Sequence, residues 1–215
     1  GYTGKTGAIR DHEPPHEIVS LSDYRRRYGH YRTDKDLQAA HAAKPWVVTW
    51  DDHEVANDTY NLGAENHSPD TEGDYIARRD AAIQAYLEWL PVRATTFSEG
   101  GHLYRSFQYG TLADITMLDL RTYRDKAPEF VNIGDTDDQG RTMLGSEQMN
   151  FLHNQWSTSS ATWNLVGNSV MFTPVLIPPL DPQTSGAITE LLGLPQDGVP
   201  YNSDQWDGYA HERRR

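Results

Sequence analysis

Hydrophobic positions recur at helical spacing in four stretches of the chain. From Ser20 onward, Leu21, Tyr24 and Tyr28 share one face, and Asp23, three residues after Ser20, predicts a capping box. Residues 34–43, rich in Ala, predict a second helix slim enough to lie against a sheet, with His41 packed or half-exposed. Residues 74–90 carry the longest pattern, with Tyr75, Arg79, Ala82, Ile83, Tyr86 and Leu90 on one stripe and Pro91 as its stop. A fourth helix opens at Ser146 and carries Met149, Leu152 and Trp156. Period-two alternation over 103–109, a Gly110-Thr111 turn and an apolar run over 112–120 predict a hairpin, and residues 163–172 predict a further strand. The uncharged run Trp46, Val47, Val48, Thr49, Trp50 predicts a strand buried on both faces. The loops are polar over 1–10 and 61–73 and acidic over 125–141, where Asp135, Asp137 and Asp138 suggest a mobile lid or a calcium loop without EF-hand spacing. Residues 174–208 are rich in Pro, Gly, Asp and Ser, with the 206–209 segment anchored at their end.

The chemistry concentrates where the apolar run 46–50 ends, because Asp51, Asp52, His53 and Glu54 follow at once. Carboxylates packed against an interior strand end are costly unless a cation neutralises them. A metal site resolves that cost. Carboxylate oxygens and an amide carbonyl such as that of Asn57 suit a hard cation, and the His53 imidazole suits a transition metal or a phosphoryl oxygen. The competing explanation is a helix cap at Asp51 or Asp52 with His53 and Glu54 on the surface. The apolar run 112–120 likewise ends in Asp119, Arg121 and Arg124. Arginine grips phosphoryl oxygens bidentately, but an ion pair from Asp119 to Arg121 or Arg124 would account for the same residues. Arg25, Arg26 and Arg27 read as a solvated, salt-bridged helix face, and the cluster of His12, Glu13, His16 and Glu17 around Pro14-Pro15 as a rigid turn.

Composition narrows the function classes. The 215 residues suffice for one sizeable core. A net charge of -12 disfavours a nucleic-acid-binding surface or an anionic membrane, and would make cations necessary to attract a phosphate. With no cysteine, disulfides and zinc–thiolate sites are excluded. No apolar run reaches the roughly 20 residues of a membrane span.

The segments DYRRRY (23–28), YRTDKDLQAAHAAKPWVVTWDDHEVAND (31–58), LDLRTYRD (118–125), RTMLGSEQ (141–148) and WDGY (206–209) together resemble the alkaline phosphatase D (PhoD-like) family of metallophosphatases. That resemblance implies an α/β, metallophosphoesterase-like four-layer sandwich of two sheets flanked by helices, with ferric iron (Fe3+) and calcium as cofactors. It implies hydrolysis of phosphomonoesters and phosphodiesters, with phosphate esters as the partners, and a secreted or cell-envelope location. Family motifs of the G-D-x-x-Y and G-D-x-H type have no counterpart in the sequence, so the chain reads as the central part of a single domain, incomplete at both ends. Carried over, Asp51, Asp52 and Asn57 are the candidate metal ligands, with Asp58 a further one. His53 and Arg121 are the candidate catalytic groups, and Tyr123 and Arg124 the candidate substrate-binding ones. A non-catalytic, calcium-binding module is the alternative.

Overall fold

The computed structural model describes residues 10–94, 96–97, 100–129, 136–177 and 199–215. It is a mixed α/β arrangement in which the chain gathers into two compact units. The expectations for residues 1–9 and for Asp135 lie outside the described residues.

The first unit draws on Gly1–Val48, His53–Asn57 and Ala64–His102. Helix α1 (Leu21–Tyr31) starts where the capping pattern predicts: the Asp23 amide donates to Ser20 Oγ while the Ser20 amide donates to the Asp23 carboxylate. Helix α2 (Lys35–Ala43) is capped by Asp34, which accepts from the amides of Asp36 and Leu37 at 3.0 Å. None of its residues is buried, so it does not lie against a sheet. Ala, Gln and Lys around a single Leu37 give it too little apolar surface to dock. After the short helix α3 (Pro69–Glu72), helix α4 (Tyr75–Trp89) begins at its Asp74 cap and buries Tyr75, Ala82, Ile83, Ala85 and Tyr86. Tyr24, Val55, Tyr75, Ala82 and Ala85 form the core of this unit. The buried arginine of the α4 stripe is Arg78, one place before the expected Arg79. It is tolerated because Tyr24 Oη, the Asn66 carbonyl, Glu17 and Glu72 all accept from its guanidinium. The Arg25–Arg27 run is spent on salt bridges and carbonyls, Arg25 pairing with Glu88, Arg26 with Glu13, and Arg27 donating to the Glu13 and Pro14 carbonyls.

The second unit draws on Thr49–Asp52, Asp58–Gly63 and Leu103–Arg215. The hairpin forms as predicted: β1 (Arg105–Tyr109) and β2 (Ala113–Met117) pair antiparallel, Arg105 opposite Met117 and Tyr109 opposite Ala113. Helix α5 (Gly145–Thr158) precedes β3 (Trp163–Gly167), which runs parallel to β2 in a sheet ordered β1-β2-β3. β3 stops at Gly167, short of the expected 172. The Met117 side chain occupies the place a Cβ at Gly167 would take, and Asn168 turns back to donate to the Val170 carbonyl. Leu118, Leu120, Met143, Leu144, Met149, Leu152, Val170, Trp206 and Tyr209 make the core, whereas Trp156 and most of β3 are exposed. The short strands β4 (Leu176–Ile177) and β5 (Val199–Pro200) pair antiparallel.

The run 46–50 is not the doubly buried strand that its composition suggests. Trp46 and Val47 are exposed, and the run joins neither sheet among the described residues. In the first unit Trp46 stacks on His41 with ring centroids 4.4 Å apart and donates from Nε1 to the Ala40 carbonyl. In the second unit Thr49 and Trp50 attach by side chains instead of a backbone ladder, Thr49 Oγ1 to the Leu118 carbonyl at 2.7 Å and Trp50 Nε1 to Asp119 at 2.9 Å.

Several buried or half-buried phenols hold their protons above the ordinary range. Burial raises Tyr24, Tyr28 and Tyr104, and pushes Tyr209, whose hydroxyl donates to the Asp125 carbonyl, up to about 12. Because the folded protein holds these protons more tightly than the unfolded chain does, their contribution is full below pH 10. For Tyr209 it is lost at about 1.4 kcal/mol per pH unit between 10 and about 12. A phenolate absorbance titration is expected to show a late class of tyrosines ionising together with unfolding. A single transition near pH 10 in the folded protein would contradict this.

Candidate functional site

The site is built on two turns that end apolar segments of the second unit. The first is the turn at Thr49–Asp52. Trp50 is 2% exposed and fastens it, and the following residues Asp52–Glu54 make one turn of 3-10 helix. The second turn follows β2, where Asp119 is fully buried. Its Oδ1 accepts from Trp50 Nε1 and from the amides of Arg121 and Thr122, at 2.9 to 3.0 Å, and its other oxygen accepts from Thr122 Oγ1. Gln148 of α5 completes the lock, with its amide oxygen on the Asp119 amide and its nitrogen on the Asp119 carbonyl, both at 2.8 Å. Asp119 therefore shapes the turn by accepting from backbone amides, in the manner of an Asx-turn. This replaces the ion pair to Arg121 or Arg124 anticipated for it.

That turn delivers Arg121 to the acids. Its guanidinium donates from Nε to Asp51 Oδ1 at 2.5 Å, stands 3.7 Å through Nη2 from Asp52 Oδ1, and donates from Nη1 to Asp204 at 3.0 Å. Arg121 is 2% exposed. Burial alone would lower its pKa, but Asp204, Asp51 and Asp52 together hold it above its ordinary value. Arg124, also buried, donates from Nε to the Thr59 carbonyl and from Nη1 to the Asp204 carbonyl, both at 2.9 Å, and from Nη2 to the Asp204 carboxylate. Asp52 is buried and its Oδ2 accepts from the Asp58 amide at 2.9 Å, with Asp58 at φ 52. The Asp51 side chain keeps 41% of its surface open. The cation that the acid pair requires is thus supplied, in the first place, by a guanidinium.

The structure brings Asp51, Asp52, Asp58, Arg121 and Arg124 into this one network. Tyr123 faces Tyr104, ring centroids 5.5 Å apart and edge to face. His53 and Asn57 belong to the first unit. There the Asn57 amide nitrogen donates to Glu65 at 2.5 Å, which turns its oxygen to His53 Nε2 at 3.0 Å. In the acidic loop, Asp138 accepts from the Gly140 amide at 2.8 Å and Asp137 pairs with Arg214, so the first serves a local turn and the second an ion pair to the C-terminal segment.

Sequence reasoning missed Asp204, which binds both arginines. The only signal for it was its place beside the anchored 206–209 segment. Trp206 and Tyr209 are core residues, and Gly208 passes so close to the Ser203 carbonyl that any Cβ would collide with it. Those anchors fix the loop that carries Asp204.

The donors fit a hard cation in kind, since Asp51 and Asp52 offer carboxylate oxygens. They do not make a whole site: among the described residues no three His, Asp or Glu side chains are grouped to hold a metal. No helix among the described residues is long and apolar enough to cross a membrane.

A solved structure of PhoD is similar with a TM-score of 0.80 and 36% sequence identity, covering 99% of this chain and 38% of that one. Alkaline phosphatase D of Bacillus subtilis (strain 168) is 40% identical over 220 residues, which is 100% of this chain and 34% of that protein. The chain thus spans about a third of the length of the curated relative it matches. The family model described as PhoD-like phosphatase matches residues 1–215, and the chain belongs to that family.

Proposed function

We propose that this chain carries part of the active site of a metal-dependent phosphoester hydrolase acting on phosphomonoesters and phosphodiesters. Family membership over the whole chain supports the reaction class. The observation that carries the reading is the acid turn itself: two adjacent aspartates, one of them partly open, pinned to a buried arginine whose burial those carboxylates offset. In this reading Asp51 and Asp52 are carboxylate ligands to the cations and Asp58 seats Asp52 through its amide. Arg121 fixes the direction of both carboxylates and adds positive charge beside the phosphoryl group. Tyr123 borders the substrate, whereas Arg124, buried with its guanidinium on Thr59 and Asp204, acts by holding Asp204. His53, which Asn57 meets at Nε2, is the group that hydrogen-bonds or protonates an ester oxygen. Ferric iron and calcium are the proposed cations, supplying Lewis acidity toward the phosphoryl oxygens when bound. The remaining ligands, and the rest of a four-layer sandwich, would come from outside the described residues. Secretion or retention in the cell envelope is proposed on the family resemblance.

The test is turnover of p-nitrophenyl phosphate and bis-p-nitrophenyl phosphate by the full-length protein, before and after chelation. Hydrolysis that falls on chelation and returns with added iron and calcium is expected. No hydrolysis of either ester with both cations supplied would count against the reading.

A further inference from the structure

We infer that Asp204 is a positioning residue for the acid turn, one that sets the direction of Arg121 and through it of Asp51 and Asp52. The inference rests on the phosphoesterase reading and adds a residue to it. The Nε and Nη2 atoms of Arg121 face Asp51 and Asp52, and its remaining corner, Nη1, goes to Asp204. Without that third contact the guanidinium would be held from one side only and free to rotate about its side chain. Asp204 itself is fixed on several sides. It takes Arg124 on both its carboxylate and its carbonyl, its amide donates to Asn202 at 2.9 Å, and its loop is tied to the core by Trp206 and Tyr209.

The charges give the contact a second consequence. Asp204 draws Arg121 Nη1 and the Arg124 guanidinium to itself, and neutralising it leaves Arg121 to draw harder on Asp51 and Asp52, the very carboxylates the cation needs.

The experiment compares Asp204→Asn, Asp204→Glu and Asp51→Asn with the parent in the full-length protein, reading kcat and KM for p-nitrophenyl phosphate together with thermal unfolding. Asp51→Asn is expected to be inactive. Asp204→Asn is expected to lose roughly 10- to 100-fold in kcat, with KM changing much less, because the contact orients groups used in the chemical step. Asp204→Glu keeps the charge but moves the carboxylate, so it is expected to unfold near the parent temperature while its kcat stays depressed. That result would not follow from a merely structural counter-charge. Parental kcat in Asp204→Asn, or in Asp204→Glu should the asparagine variant not fold, overturns the inference when Asp51→Asn is inactive. An active Asp51→Asn overturns the acid turn as the site and the inference with it, whereas no turnover by the parent overturns the phosphoesterase reading instead.

Discussion

Arg121→Gln is expected to destabilise the protein by roughly 3–5 kcal/mol, the range for removing one partner of a buried ion pair, and to abolish turnover. The substitution keeps approximate size but strips a charge that Asp51 and Asp52 share with Asp204. Asp51, with 41% of its side chain open, is relieved by water and contributes least to the loss. Asp52 and Asp204 are more deeply placed and contribute more. Arg121→Lys is expected to recover part of the stability but little turnover, because one ammonium reaches one carboxylate well where the fork reaches several. Urea unfolding with parallel turnover measurements checks both, and an Arg121→Gln protein that unfolds with the parent would show that the network does not hold the turn.

Asp119→Ala is expected to be comparably damaging, for a different reason. The carboxylate is fully buried and accepts from four donors, so its removal leaves Trp50 Nε1, two amides and the Thr122 hydroxyl without their acceptor in the interior. Each such loss is worth on the order of 1–3 kcal/mol, and the sum is expected above about 3 kcal/mol. Asp119→Asn separates charge from shape. Three of the four donors go to Oδ1, which an asparagine retains, and the Thr122 hydroxyl turns to accept from the new amide. A cost near 1 kcal/mol is therefore expected for asparagine. Equal damage from both variants would mean that the charge of Asp119, more than its hydrogen bonds, holds the turn.

What was legible in the sequence follows from the range of the interaction concerned. The starts of α1 and α4 were readable because Ser20, Asp23 and Asp74 act within one turn of where they stand. The β1–β2 hairpin was readable because its partners lie close along the chain. The run 46–50 was misread because an apolar stretch says that something covers it without saying what. Here Trp46 is met by a histidine on the preceding helix, and Trp50 by a carboxylate 69 residues away. The site shows the same division. Asp51, Asp52 and Arg121 announced themselves by standing at the ends of apolar runs. Their pairing across 70 residues, and the role of Asp204 at 83 residues from Arg121, had no local trace. Asp204 sits in an aperiodic Pro, Gly and Asp stretch where neither helical nor strand spacing assigns any residue a direction. The cation foreseen for the acid turn was a metal ion, and the structure places the Arg121 guanidinium there first, a partner whose reach depends on the Asp119 turn.

The most direct measurement of the central claim is phosphate ester turnover by the full-length protein carrying Asp51→Asn or Asp52→Asn, with folding confirmed by circular dichroism. Loss of activity in both, at least about a thousandfold in kcat/KM or some 4 kcal/mol of transition-state stabilisation, is the result predicted for carboxylates that organise the reacting phosphoryl group. Near-parental turnover in both folded variants would contradict it.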